Sequence, residues 1–408
     1  EERYYSMKYK SIINGIAMGL LAFTIVSCED AKNGTVENRI YFSEAASMKT
    51  QVVSLEDGGT TSAVTVRLVR AIDTDVKVTI GLDEAYLNDY NKSNETEYRV
   101  LDSDKLSFSK EAVIKAGQVS SEPVSLEIAD FETLGVQYAI PLSINSVEGN
   151  VEKALASSKF MLLLVQPLKQ MVPQFTWYNA MKAAPTDEDW NLELSNYTLE
   201  WWSKMTGRNG VGGYTKNNQA IFNSGGHGIE LYIRFGDLIY SNGSSYMNNF
   251  LQVKTFGSQF DTGDPTAGYG LEGQVWYHFA ITYDASTGTT LLYKNGEQLS
   301  SLSTSAGQNM WIDKLQMISS GQEYFPDLCE LCQVRMWKTT RSGNQIKKNM
   351  YNDIDPKNPD LILYIPMNEG VGTTLHDLTG NGHDVEIGNA SQASNAQSVT
   401  WTSYTFAQ

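Results

Sequence analysis

The sequence predicts an all-β protein made of two consecutive β-sandwiches. Its 408 residues are too many for one ordinary domain and suit two. Short segments that alternate apolar and polar residues recur along the chain, separated by glycine-containing turns. The 22 Tyr, 14 Phe and 8 Trp residues favour strands. A hydrophobic content of 41% supplies buried cores and excludes wholesale disorder.

The net charge of −16 restricts the classes of partner. Nucleic acid is excluded, because few cations are present to neutralise its phosphates. Adsorption of the protein on an anionic membrane by charge alone is disfavoured for the same reason. The acidity itself is explained by solubility. A neutral polysaccharide would bind without electrostatic cost.

The start of the chain has the layout of a secretory signal. A basic segment at residues 7–10 is followed by an apolar run at 12–26. The alternative is a single membrane-spanning helix, but the run has about 15 residues and a span needs about 20. The sequence therefore predicts export.

Residues 24–28 resemble a bacterial lipoprotein box, and the resemblance implies cleavage before Cys28 and lipidation of its thiol. Residues 1–28 are thus predicted to be a lipoprotein signal peptide that ends at the lipidated Cys28. Residues 29–37 have little to bury and are predicted to be a tether. The expected location is the outer membrane, exposed at the cell surface and held by the lipid anchor only.

Residues 38–168 are predicted to form the first β-sandwich, with about seven short strands in about 130 residues. One helix is expected at 83–91, with Tyr86, Leu87 and Tyr90 facing inward. The predicted strands lie at residues 39–42, 63–69, 75–80, 113–114, 124–128, 138–144 and 160–165.

Four segments of this unit resemble a domain of unknown function found at the N-terminus of surface lipoproteins of gut Bacteroidota: residues 75–80, 90–91, 116–118 and 138–144. The resemblance implies an immunoglobulin-like β-sandwich that acts as a spacer. In such proteins it precedes a lectin-like or glycoside hydrolase domain.

Residues 173–408 are predicted to form the second unit, and Pro173 is expected to end the preceding strand. Its clearest strands are predicted at 197–204, 229–235, 276–284 and 289–294. Asn295-Gly296 is the residue pair favoured in hairpin turns that need positive φ at both positions.

The aromatic strand at 276–284, followed by a strand ending in Tyr-x-Asn-Gly, resembles the concanavalin A-like jelly roll of the laminin-G type. Residues 331–337 resemble the penultimate strand of that family, and residues 364–370 and 377–384 resemble its closing hairpin. The resemblance implies a jelly-roll β-sandwich. Cys332-Gln333 departs from the two acids often found there, so no role of those acids carries over.

No catalytic motif is present, and the sequence predicts that the protein is not an enzyme. Retaining glycosidases on this fold need paired carboxylates, normally at Glu-x-Asp-x-x-Glu spacing, and this motif is absent. The histidines accompany neither a nucleophile elbow nor a zinc helix. Cys329 and Cys332 are expected to be structural thiols or a local disulfide, not a redox pair.

Sugar rings are bound by stacking on aromatic side chains, with polar groups nearby for the hydroxyls. On the strand at 197–204, Glu200 and Trp202 share one face, which is predicted to be a wet surface that binds carbohydrate. Aromatic residues of predicted loops are further candidates, although each has the alternative of anchoring its loop: Trp190, Tyr214, Tyr240, Tyr246, Trp311 and Tyr324.

Calcium is the one candidate cofactor. Asp377, Asn381 and Asp384 offer the oxygen ligands that calcium prefers. A turn rich in Asp, Asn and Gly looks the same without a metal, so both interpretations stay open.

The sequence as a whole predicts a surface-anchored carbohydrate-binding lipoprotein without catalytic activity. Its expected partners are a polysaccharide or oligosaccharide and, by resemblance, outer-membrane glycan-uptake proteins of a polysaccharide capture system. The alternatives are a protein-binding adhesion module and a glycoside hydrolase on the lectin-like fold.

Overall fold

A computed structural model describes residues 37–183, 190–390 and 399–406. Strands dominate these residues, which confirms the all-β prediction. The predicted leader, Cys28 and almost all of the predicted tether lie outside them. Within these ranges, no helix is both long and apolar enough to cross a lipid bilayer.

The first sandwich encloses its own buried apolar core. A sheet with the order β2-β12-β10-β5-β8, in which β6 also pairs with β10, faces the sheets β3-β9-β7 and β11-β1-β4. The strands are β1 Arg39–Phe42, β2 Thr50–Ser54, β3 Thr60–Val64, β4 Val66–Leu68, β5 Val76–Leu82, β6 Arg99–Val100, β7 Leu106–Phe108, β8 Glu111–Ile114, β9 Val124–Ile128, β10 Tyr138–Glu148, β11 Glu152–Lys153 and β12 Lys159–Val165.

The predicted helix of this unit is confirmed as α1, Glu84–Asn94. It begins where the Asp83 side chain accepts a hydrogen bond of 2.9 Å from the backbone N–H of Tyr86, an N-cap. It ends at Glu95, whose left-handed φ of 53° breaks the helix. Leu87 is buried against the sheet.

The second sandwich contains the larger core. Two short helices belong to it, α2 Gly321–Tyr324 and α3 Gly343–Asn349. Its strands are β13 Leu168–Phe175, β14 Met181–Ala183, β15 Leu192–Leu194, β16 Asn196–Thr206, β17 Gln219–Gly226, β18 Ile229–Phe235, β19 Leu251–Thr255, β20 Ser258–Asp261, β21 Tyr277–Asp284, β22 Thr289–Lys294, β23 Glu297–Ser303, β24 Met310–Ile312, β25 Leu315–Met317, β26 Leu328–Trp337, β27 Leu361–Ile365, β28 Thr374–Leu375, β29 Val385–Glu386 and β30 Thr400–Phe406.

Two sheets build this sandwich. The back sheet has the order β23-β22-β21-β16-β26-β13-β30, with β27 also paired to β26, and the front sheet has the order β14-β25-β17-β18-β19-β20. Trp201 of β16 meets Phe222 of β17 edge-to-face, with 4.8 Å between ring centroids. Side chains from both sheets therefore interdigitate in one core.

The structure tests two predictions about the second sandwich: the hairpin turn at Asn295-Gly296 and the strand end at Pro173. The hairpin turn at Asn295-Gly296 is confirmed, with φ of 51° and 78°. Pro173 does not end a strand, so that expectation is wrong. Pro173 lies inside β13 and is paired with Trp401 of β30. The other edge of β13 pairs with β26 only at Gln174 and Phe175, so the missing N–H of Pro173 interrupts no hydrogen bonds on that edge.

Cys329 and Cys332 are free thiols, both buried in β26. The alternative of a local disulfide is therefore wrong. Burial raises the pKa of both thiols. Since the thiolate is the reactive form, these cysteines are inert structural residues.

Candidate functional site

The outer face of the back sheet is closed. Trp202 is only 3% exposed, and its indole N–H donates a hydrogen bond of 2.7 Å to the carbonyl of Met350. Its ring packs against Tyr351 and Phe406. The predicted wet surface around Trp202 and Glu200 is therefore wrong, because a chain segment that the strand pattern does not reveal covers this face.

Glu200 is fully buried beneath the same cover and is held as an anion. Burial alone would raise its pKa, but the contact with His278 and the charges of Arg335 and Arg341 outweigh burial and lower the pKa to about 2. The indole N–H of Trp337 donates to its carboxylate at 2.6 Å. Glu200 is thus a buried counter-ion and not a group available to a ligand.

The cover consists of α3 and the loop after it, and the first sandwich docks onto both. Arg99 pairs with Asp355 at 3.2 Å, and Lys348 donates to the carbonyl of Asn94 at 2.9 Å. Gln137 Nε2 donates to Asn349 Oδ1 at 2.7 Å. We call this contact between the sandwiches the domain junction.

Two clefts, of about 720 and 480 Å³, lie at the domain junction. Neither contains any of the aromatic candidates from the sequence. The one tryptophan that lines them, Trp337, is 1% exposed and has the Arg341 guanidinium 4.1 Å above its ring. These clefts offer no open aromatic surface for a sugar.

The outer face of the front sheet is different, because its side chains are polar and several of them remain partly exposed. On β18, Leu231, Ile233 and Phe235 point into the core, while Tyr232 and Arg234 point outward and are partly exposed. The strand register places one polar residue of each front-sheet strand directly opposite the next. This line, which we call the polar row, is Lys182, Gln316, Asn223, Tyr232, Lys254 and Gln259.

Three amides of the polar row have no partner among the described residues. The side chains of Asn223, Gln316 and Gln259 form no hydrogen bond with any residue that the structure describes, although Asn223 and Gln316 are half-buried. Each amide can donate and accept. The row therefore presents both kinds of hydrogen-bonding group to an incoming ligand.

A second set of side chains, linked by hydrogen bonds, lies beside the polar row. Arg234 donates to Asn218 and Gln252, both at 2.9 Å, and to Asp237 at 2.6 Å. Tyr232 Oη also donates to Asn218, at 3.0 Å. We call this set the Arg234 network. Because every member has a partner, it holds Tyr232 in place.

Three of the predicted aromatic residues lie in the helix and the loop that flank this face. The Ser320 hydroxyl accepts from the backbone N–H of Ala220 at 3.0 Å, which anchors α2 and its Tyr324 beside β17. The Tyr240 hydroxyl contacts the Asp261 carboxylate at the end of β20, at 3.1 Å. Tyr246, 53% exposed, follows in the same loop as Tyr240.

The other three aromatic candidates lie elsewhere. Tyr214 is 6% exposed and packs edge-to-face on Phe235, so it is a core residue. Trp190 is 9% exposed and stacks on His383. Trp311 is partly exposed, but His227 covers one face of its ring at 3.9 Å between centroids. The structure does not bring these three together with the polar row.

The candidate calcium ligands lie in one turn and bond to the protein itself. Asp377 Oδ1 accepts from the backbone N–H of Tyr364 at 3.0 Å, and Asp384 accepts from that of Asp377 at 2.8 Å. Asn381 donates to the carbonyl of Ile362. Across the described ranges, no group of three or more His, Cys, Asp or Glu could hold a metal ion. These bonds explain the turn without calcium, which stays an untested prediction.

The buried carboxylates of the second sandwich are engaged by internal donors. Asp327 accepts from Thr215 and from Gln219, each at 2.7 Å, and Glu330 pairs with Lys204 at 2.6 Å. These contacts tie both carboxylates into the fold of the second sandwich.

The fold and this face together define the class of the molecule: an immunoglobulin-like β-sandwich followed by a concanavalin A-like jelly roll of the laminin-G type. A family model for an N-terminal domain matches residues 36–151. The model of the concanavalin A-like lectin/glucanases superfamily matches residues 179–347. No curated protein is similar enough to count as a match.

Solved structures are similar to this chain to different extents, and the first of them shows the same fold. A "putative carbohydrate binding protein" from Bacteroides ovatus ATCC 8483 is 23% identical, with a TM-score of 0.57, covering 90% of this chain and 97% of that one. EndoBT-3987 from Bacteroides thetaiotamicron, solved with a Man5GlcNAc product, is 24% identical over 31% of this chain and 30% of its own, with a TM-score of 0.26. A pentraxin from Limulus polyphemus is 13% identical over 54% and 99%, with a TM-score of 0.32.

Proposed function

We propose that this protein binds carbohydrate on the outer face of its front sheet and does not cleave it. The observation that carries the proposal is that an ordered tyrosine, Tyr232, lies beside the amides of Asn223 and Gln316, which have no partner in the part of the chain that the structure describes. Sugar recognition needs an aromatic or apolar surface and convergent hydrogen-bonding groups. The front sheet supplies both.

Two further findings support this function. The fully buried Glu200 is held as an anion by its internal partners, and Glu330 pairs with Lys204, which fits binding better than hydrolysis. The chain also shares its fold over 90% of its length with a protein described as carbohydrate-binding. That likeness extends across both sandwiches and not only the lectin-like one.

The proposal includes lipid attachment at Cys28 and a place at the bacterial cell surface. Its support is the basic and apolar leader that ends at Cys28. A lipid anchor would keep a glycan-binding domain next to outer-membrane uptake proteins, as a polysaccharide capture system requires. Palmitate labelling of cells that express the chain, compared with Cys28→Ser, tests this part; equal labelling contradicts it.

Protein binding is a second candidate, which the loop after β18 favours. Leu238, Ile239 and Tyr246 are 54%, 45% and 53% exposed there. Exposed apolar side chains close together mark interaction surfaces. Retention of the protein on immobilised extracellular-matrix proteins, with no signal on glycans, would favour this candidate.

The central test is a glycan array with residues 37–408, which contain both cores, followed by affinity measurements on the best glycan. We expect Tyr232→Ala and Asn223→Ala each to weaken binding by about ten-fold or more, as central contacts do. Gln298→Ala is the matched control, because Gln298 is an exposed strand amide on the back sheet. Unchanged affinity in both front-sheet variants, with unchanged melting curves, contradicts the proposed site.

A further inference from the structure

If the proposed carbohydrate binding holds, the geometry of the polar row indicates which kind of glycan fits it. The row crosses the front sheet from one edge strand to the other, from Lys182 on β14 to Gln259 on β20. It contains one side chain per strand, and each is directly opposite the next. The row is therefore a regular array and not a single pocket.

The spacing of this array is that of the strands themselves, about 4.8 Å per step. Five steps give a length of roughly 24 Å. A pyranose residue in an extended chain advances by a similar distance. A linear glycan that lies across the strands would thus meet one polar side chain per sugar.

The two ends of the polar row lie on the edge strands of the front sheet. Gln259 is exposed, and Lys182 is partly exposed on a strand of three residues. Both β14 and β20 are edge strands of the front sheet. The exposed Gln259 leaves its end of the row open, so a ligand can extend past that end and recognition of a chain terminus is not required there.

Apart from Lys182 at one end, the charges in and beside the row are paired, and the central side chains fit a neutral chain. Lys254 is paired with Glu230 at 3.3 Å, and Arg234 with Asp237 at 2.6 Å. Gln316, Asn223, Tyr232 and Gln259 are uncharged. Because the whole chain carries −16, a polyanionic glycan would also meet long-range repulsion.

We propose that the polar row binds an internal segment of a neutral, linear polysaccharide with an extended backbone, about five or six sugars long, across the strands. Sheet twist rotates the outward direction by about 20° per strand, so the bound chain must twist gradually. An extended β-linked chain can follow this path, whereas a tightly coiled α-linked chain cannot present successive hydroxyls at this spacing.

The test uses residues 37–408 and four ladders of oligosaccharides from two to seven sugars: xylo-, cello-, manno- and malto-oligosaccharides. We expect the Kd for one of the first three ladders to fall by about five-fold with each added sugar up to five or six sugars, one hydrogen bond per step. The malto-oligosaccharides should bind weakly at every length.

Variants at the two ends of the row separate this proposal from carbohydrate binding in general. Lys182→Ala and Gln259→Ala should each reduce the gain from longer oligomers and leave the affinity for trisaccharides within two-fold of the parent. Gln298→Ala should change nothing. A disaccharide that binds as tightly as a hexasaccharide overturns the extended site while glycan binding stands. Absence of binding to every ladder and to the parent xylan, glucan and mannan overturns both.

Discussion

Glu200 lies fully buried between the back sheet and α3, where Arg341 approaches its carboxylate at 3.7 Å and His278 at 3.5 Å. A carboxylate without water is costly unless it is paired. Removing one member of such a set leaves an uncompensated charge behind, which costs about 3 to 5 kcal/mol. The role of Glu200 is therefore structural.

We predict that Glu200→Gln lowers the free energy of unfolding at pH 7 by about 3 kcal/mol. Because the pKa of Glu200 lies at about 2, below its ordinary 4.5, its stabilisation is complete above pH 4.5 and is lost as the pH falls towards 2. The variant should therefore lose less stability over that pH range. Urea titrations at several pH values measure both effects.

Glu230→Gln is the control for this prediction. Glu230 pairs with Lys254 on the accessible front sheet, where the carboxylate is 48% exposed, and such pairs contribute about 0 to 1 kcal/mol. Equal losses in the two variants would contradict a buried ionic role for Glu200.

At the scale of elements, the hairpin between β22 and β23 is predicted by a local residue pair, and its turn also contacts a distant part of the chain. Asn295-Gly296 forms the predicted turn, with positive φ at both residues. A Cβ on Gly296 would lie 2.7 Å from the Cβ of Lys347, which belongs to α3. The turn is thus also the place where α3 packs onto the back sheet.

We predict that Gly296→Ala destabilises the protein more than a positive φ alone explains. Strain at φ 78° costs about 1 kcal/mol or more, and the contact with Lys347 adds to it. Gly307→Ala measures the cost of a positive φ alone, because Gly307 has φ 82° and no atom lies within 4 Å of the position of its added Cβ. Melting temperatures that fall equally in both variants would refute the contribution of the helix contact.

The domain junction is the feature that acts at the scale of the whole molecule. Gly135 has φ 79°, and a Cβ there would lie 2.2 Å from the carbonyl carbon of Ile354 across the junction. The close approach of two backbones requires glycine at this point. The first sandwich is therefore docked to the second, and it also helps to close the outer face of the back sheet.

We predict that Gly135→Ala loosens the junction while both sandwiches remain folded. Small-angle scattering should give a larger radius of gyration, and trypsin should cut near Lys348, which bonds across the junction. Gly117→Ala is the control, because Gly117 has the same φ of 79° and open space around it. Identical scattering curves for Gly135→Ala and the parent would contradict the docked arrangement.

The helix at 84–94 and the strands at 124–128, 229–235 and 289–294 could be predicted from the sequence to within a few residues. Their signals are local, since a capping Asp83 or an alternating strand needs no distant partner. The same alternation already separated Tyr232 and Arg234 from the core side of their strand. It could not show which of the two sheets would remain open.

The sequence by itself determined the two all-β units, the core face of each clear strand and the absence of a catalytic motif, because periodicity and composition act within a segment. Only the tertiary structure decided where a ligand can bind. The cover over Trp202 comes from residues about 150 positions further along the chain. The polar row arises from the register of six strands, and register is a property of the assembled sheet.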